Sequence, residues 1–155
     1  MKVKMFFLIP CVFLFSCSGS NGVMSNVEFD VLVNSFYSSV TEKKEIIATG
    51  RDEYINMMNI AYEYLDRVPE IQEVDFNRYI VIAVFMGAKT SGGYSITVDK
   101  IIEKPDKIIV YINEISPGKN CITTDAITYP FELIKIPKTD KKIIFKTRGI
   151  TKDCG

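Results

Sequence analysis

The sequence predicts an α+β fold that is mainly antiparallel β: a meander-like sheet, or a small sandwich or barrel, covered by one amphipathic helix. Three observations carry this expectation. Apolar residues recur at helical spacing in one stretch alone, from Tyr54 to Leu65. The other apolar segments are short, rich in β-branched and aromatic residues, and separated by turns containing Pro, Gly or Asp. About 139 residues remain once residues 1–16 are set aside, enough for one sizeable core and too few for two comfortable domains.

The chain opens on Lys2 and Lys4, followed by an apolar run from Met5 to Phe15. As a helix that run of about 11 residues reaches about 16 Å, short of the roughly 30 Å of a hydrocarbon core, so it reads as an export signal over 1–16 and not as a span. Leu14-Phe15-Ser16-Cys17 resembles the lipobox of bacterial lipoproteins. That resemblance implies a lipid on Cys17 as the first residue of the mature chain; an ordinary cleaved signal is the simpler alternative. Residues 17–26 are small and polar and read as a flexible tether. A single β-rich domain is expected over 27–155.

Within that domain, 27–33 and 34–40 read as one or two short strands and 45–49 as another. Thr49-Gly50-Arg51-Asp52 has the spacing of a capping box, and Tyr54, Ile55, Met58, Ala61, Tyr62 and Leu65 then mark one helix face that Pro69 terminates. An aromatic and methionine stripe of this kind is a packing surface. Residues 79–86, Tyr-Ile-Val-Ile-Ala-Val-Phe-Met, are continuously apolar and read as a central strand. Strands at 94–103 and 107–115 follow, with a turn at Pro105-Asp106. Pro117-Gly118 suits a type II turn, proline at its second position and a positive-φ glycine at its third. Residues 131–136 and 142–147 are expected to pair through 137–140.

Composition removes whole classes of function. The full chain has 19 basic and 19 acidic residues, and loss of Lys2 and Lys4 leaves 17 against 19, so no basic excess is available for nucleic acid. Histidine is absent, which excludes Ser-His-Asp and Cys-His nucleophile systems and histidine-containing zinc sites. The surviving options are carboxylates such as Asp99, Glu103 and Glu114, or Ser91 with Lys89; these read as solvent-facing charges of strands and turns, and neither enzyme activity nor a cofactor or metal is expected. Of four cysteines, Cys11 leaves with the signal and Cys17 carries lipid. Cys121 and Cys154 remain, and in an exported chain two thiols favour a disulfide, the alternative being two free thiols.

The least generic stretch of the domain is Lys89-Thr90-Ser91-Gly92-Gly93-Tyr94, between two strands. It supports two readings. Thr90, Ser91, Gly92, Gly93 and Tyr94 form a protein-binding loop with an aromatic anchor, or they form a hairpin loop whose glycines shape a bulge and whose tyrosine points inward.

Val81-Ile-Ala-Val-Phe-Met-Gly87, Thr90-Ser-Gly-Gly-Tyr-Ser-Ile96, Ser116-Pro-Gly118 with Cys121, and Tyr129-Pro130 leading to Ile134-Lys-Ile-Pro137 occur in that order. Together they resemble the C-terminal domain family of the protease complex subunit PrcB, over roughly 76–145. The resemblance implies a bacterial lipoprotein whose domain associates with, and helps stabilise or mature, an exported protease, with no catalysis of its own. Its partners would be that protease or another cell-envelope protein, and its place a bacterial membrane, at the outer membrane or cell surface. An alternative keeps the architecture and makes the Gly-Gly-Tyr loop a wedge like those of chagasin-type protease inhibitors.

Overall fold

The computed structural model describes residues 24–65 and 70–155. The export signal, Cys17 and Pro69 lie outside the described residues. Eight strands and one helix follow the order β1 (Ser25–Asn26), β2 (Asp30–Ser35), β3 (Lys44–Ala48), α1 (Arg51–Tyr62), β4 (Tyr79–Phe85), β5 (Ser95–Glu103), β6 (Lys107–Pro117), β7 (Phe131–Pro137) and β8 (Lys142–Lys152). They form two four-stranded sheets, β1-β5-β6-β8 and β2-β7-β4-β3, which stay separate and do not close into a barrel. All pairings are antiparallel except β6 with β8. Ordered pairing begins ahead of residue 27, because Ser25 and Asn26 of the expected tether lie opposite Glu103 and Ile102.

The continuous apolar run of β4 has a simple cause: both of its faces are buried. Val81, Ala83 and Phe85 face a core shared with Tyr54, Met57, Met58, Ala61 and Tyr62 of α1. Ile80, Ile82 and Val84 face a second core shared with Ile96, Val98, Ile108, Val110 and Ile112 of the other sheet. β7 behaves in the same way, with Phe131 and Leu133 in the first core and Ile134 and Ile136 in the second. The molecule is therefore three layers, helix on sheet on sheet, with β4 and β7 at its centre. Phe85 and Phe131 lie directly opposite each other in the ladder, their rings stacked at 5.4 Å between centroids, and Tyr62 meets Phe131 edge-on at 5.7 Å.

Four local expectations are corrected. Residues 131–136 and 142–147 do not pair: β7 lies between β2 and β4, and β8 lies in the other sheet, parallel to β6 from Lys107↔Lys142 to Pro117↔Lys152. A strand apolar on both faces needs neighbours on both edges. The lysine-rich β8 buries one face only, with Ile143 and Phe145 packed on the second core, and so takes an edge. The helix is capped differently too. Gly50 is the N-cap and offers no side chain, while Thr49 donates from its backbone N–H (2.6 Å) and its hydroxyl (2.7 Å) to Glu53 rather than pairing with Asp52. Met57 is buried on the helix face where Ile55 was expected, and Ile55 is exposed. Finally, Pro117-Gly118 is no type II turn. β6 runs through Pro117, and Gly118, which does not have positive φ, is needed for close approach: a β-carbon there would stand 2.8 Å from the Lys152 carbonyl that accepts its N–H.

Candidate protein-binding site

The segment between β4 and β5 is not a hairpin loop, since its two strands belong to different sheets. It crosses between layers and is zipped to the segment between β6 and β7. The β4–β7 ladder ends at Phe85↔Phe131, but the pairing continues in irregular form: Met86 N–H donates to the Pro130 carbonyl (2.9 Å), Lys89 and Thr128 exchange two backbone bonds (2.8 and 3.0 Å), and Gly92 N–H donates to the Thr124 carbonyl (2.9 Å). The Thr128 hydroxyl adds a bond to the Ser91 carbonyl at 3.0 Å. Two connections that read as independent loops are thus one clamped pair.

Each of the five residues singled out in the first of these segments has a defined place. Thr90 is exposed and Ser91 half-buried, with the Ser91 hydroxyl donating to the Gly92 carbonyl. Gly92 and Gly93 are required by the clamp. Gly93 has φ +85°, a conformation L side chains rarely adopt, and a β-carbon there would crowd Pro117 and the Thr123 methyl; one on Gly92 would overlap the Thr124 hydroxyl. Tyr94 packs at the margin of the second core, with Lys89 Nζ 5.9 Å from its ring centre. The inward reading of Tyr94 is the observed one: its ring is partly buried against the second core.

The second segment supplies what the first lacks. Ile122 is fully exposed and Ile127 is 61% exposed. Tyr129 N–H donates to the Phe36 carbonyl, which brings Phe36 and Tyr37, each about half exposed, alongside the same end of the molecule. The paired loops, 86–94 and 118–130, contain only Lys89, Lys119 and Asp125 as charged residues. Sequence reasoning missed Ile122, Ile127, Phe36 and Tyr37. The available signal was the presence of lone large apolar residues in turn-rich stretches with no strand or helix period to bury them.

Cys121 at the base of the second segment is joined to Cys154 by a disulfide with Cα atoms 5.0 Å apart. The expected pairing is present, and it fixes both the exposed loop and the chain's tail to the end of β6. The other groups weighed as chemical candidates are not gathered into a site. Glu103 pairs with Lys141 at 2.7 Å, and Glu114 with Lys43 at 2.8 Å. Asp99 sits exposed at the β5 bulge. Ser91 and Lys89 turn to different partners, the Gly92 carbonyl and the Tyr94 ring. Among the described residues no cluster of potential metal ligands is found.

One buried carboxylate was not anticipated. Glu132 of β7 is 3% exposed; it accepts the Val98 N–H at 2.6 Å, where β5 carries a bulge, and the Asn34 amide at 2.7 Å. It ties β7 to β2 in its own sheet and to β5 in the other. Burial pushes its carboxyl above the ordinary 4.5, against the opposing effect of these two donors.

Residues 80–137 match the family model for the PrcB C-terminal domain. Neither a curated protein nor a solved structure matches the chain. The matched stretch begins inside β4 and ends with β7, so it contains both central strands, both clamped loops and Glu132. Over residues 80–137, which build the junction of the two sheets and the loop pair beside it, the chain is similar to the PrcB C-terminal family.

Proposed function

We propose that this protein is a protein-binding accessory subunit of an exported protease complex, held at a bacterial membrane by lipid on Cys17. The observation that carries the proposal is the coincidence of the family match with the clamped loop pair. Exposed apolar side chains on a rigid, weakly charged surface suit a protein partner, because little ordering entropy is lost when they are covered. The docking residues are Thr90 and Ser91 from the first loop and Ile122 and Ile127 from the second, with Phe36 and Tyr37 beside them. The subunit binds and stabilises and has no catalytic role. An inhibitor wedge needs a loop that projects into a cleft; here Gly92 and Gly93 are committed to the neighbouring segment, which gives that alternative less support.

The lipid anchor follows from the sequence around Cys17 and would place the domain at the outer membrane or cell surface. Several acyl chains, at ~0.8 kcal/mol per buried methylene, hold a protein on a membrane far longer than one chain can. Two measurements test the proposal. Cys17→Ser is expected to release the protein from membranes, and intact mass showing an unmodified mature N-terminus elsewhere would rule the anchor out. Ile122→Asp with Ile127→Asp is expected to abolish recovery of the protease partner in pull-downs with thermal melting unchanged; undiminished recovery would remove these residues from the interface. Incubating the protein with cysteine and subtilisin-like proteases separates a stabilising subunit, which preserves activity, from an inhibitor, which lowers it.

A further inference from the structure

The outward face of the β1-β5-β6-β8 sheet is basic although the chain is not. In β6 the residues Ile108, Val110 and Ile112 point into the second core, so Lys107, Ile109, Tyr111 and Asn113 point away from it. Their neighbours follow from the register. Tyr111 lies between Lys100 of β5 and Lys146 of β8, and Ile109 between Ile102 and Ile144. Asn113 lies between Thr97 and Arg148, and Lys107 beside Lys142. The rows themselves contain no carboxylate; Asp99 lies at the β5 bulge next to Lys100, and Asp106 pairs with Lys107 at 2.9 Å. Lys100 Nζ stands 5.3 Å and Lys146 Nζ 6.0 Å from the centre of the Tyr111 ring. Among the described residues Lys100, Lys142, Lys146, Arg148 and Lys152 make no salt bridge, whereas Lys43, Lys107, Lys135 and Lys141 do. In the apolar row Ile109 is only 4% exposed and belongs to neither core cluster.

The start of the described chain lies on this face. Met24, Ser25 and Asn26 line a groove with Lys100, Ile102 and Tyr111. Six residues lie between Cys17 and Met24, seven residue steps with a reach of at most ~25 Å. We infer that this sheet face rests on anionic phospholipid headgroups, its lysines and arginine on the phosphates and Tyr111 at the level of the headgroups. The inference rests on the Cys17 anchor described above, which makes this the face nearest the bilayer. Charge complementarity selects the occupant: cations flanking a half-buried aromatic match an anionic interface, and the paired-loop surface, with few charges, does not.

Residues 24–155 hold both cores, both sheets and the disulfide, so this fragment is the probe. It is sedimented with vesicles of phosphatidylcholine alone and with vesicles containing one quarter phosphatidylglycerol. Binding to the second alone, weakened by added salt, is expected. Lys146→Gln with Arg148→Gln, both exposed positions, should lower partitioning by roughly 25-fold, about fivefold for each charge near the surface, with melting unchanged. No binding to the anionic vesicles at low salt, equal binding to both kinds, or full binding by the variant would overturn the inference. Loss of the protease partner by this variant, with vesicle binding intact, would give the face to an acidic protein instead. The fragment lacks Cys17, so a negative result leaves the anchor standing, and failure of the anchor is read separately from Cys17→Ser.

Discussion

Glu132 is the residue whose chemistry the fold most constrains. A β-bulge leaves a backbone N–H without a partner strand, and the Glu132 carboxylate supplies the missing acceptor for Val98 from across the two sheets. Glu132→Ala strands that N–H, at a cost of about 1–3 kcal/mol for a buried unsatisfied group, while the exposed Asn34 can turn its amide to water; chemical denaturation measures the loss. The pH dependence has a definite sign. Because burial raises this carboxyl above 4.5 in the fold, the folded state holds the proton more tightly than the unfolded chain does. The stability this contributes is fully present below the unfolded value and is lost as pH rises through the raised folded value. Glu53, Glu103 and Asp106 are lowered, chiefly by hydrogen bonds from Thr49, Lys141 and Lys107 respectively, and act in the opposite direction. Comparison with Glu132→Gln isolates the one group: the stability of the Gln variant relative to the native protein should increase as pH rises from 4 to 7, and a pH-independent difference would contradict the assignment. Gly93 shows how a binding test can mislead. With φ +85° and Pro117 against its open side, Gly93→Arg strains the backbone and the clamp together, so loss of partner binding there would report misfolding and not an interface.

Among the elements, the clamped loops and β8 depend on one another through the disulfide. Cys121 and Cys154 are 33 residues apart, a loop for which chain entropy gives roughly 3 to 4 kcal/mol of stabilisation. The bond joins the loop after β6 to the tail after β8, reinforcing the Gly118 N–H bond to the Lys152 carbonyl at 2.8 Å. Cys121→Ser with Cys154→Ser is expected to lower stability by about that amount and to free amide exchange first at 150–155 and 118–124, with β4 and β7 still protected. Uniform loss of protection across both sheets would mean that the disulfide holds the whole domain and not this corner. Exposed β8 illustrates an edge made safe: Lys142, Lys146, Arg148 and Lys152 line the strand that would otherwise invite pairing with another chain.

In the molecule as a whole, the two cores meet along β4 and β7, so a void opened there is felt on both sides. Ile82 is fully buried, in the register position opposite Ile134 and Ile47. Ile82→Ala should cost about 2–5 kcal/mol, by transfer and by the cavity left behind, and denaturation should remain a single transition. A cost below 1 kcal/mol would mean that the sheets can collapse onto the gap. Separate transitions for the helix-covered core and the inter-sheet core would contradict one cooperative unit.

What was legible in the sequence was local. The run 79–86 announced a central strand, the spacing of Tyr54, Met58, Ala61 and Tyr62 announced the one helix, and the two cysteines within the domain announced a bond. The ordered motifs of 81–137 pointed to the family that the match over 80–137 supports. Each of these depends on the order of side chains along a short stretch, which periodicity and steric preference translate directly into conformation. Pairing is a different matter. That β7 leaves β8 for another sheet, that β8 runs parallel to β6, and that residues 86–92 and 124–130 zip together all follow from which apolar faces find cover at once. The same holds for the candidate site. Gly92 and Gly93 were visible as a motif, but their task is to admit Thr123, Thr124 and Pro117, neighbours some 24 to 32 residues away in sequence. Short-range rules set the conformation of segments; competition for burial among distant segments sets their partners, and it is that competition which turned Tyr94 inward and left Ile122 and Ile127 on the surface.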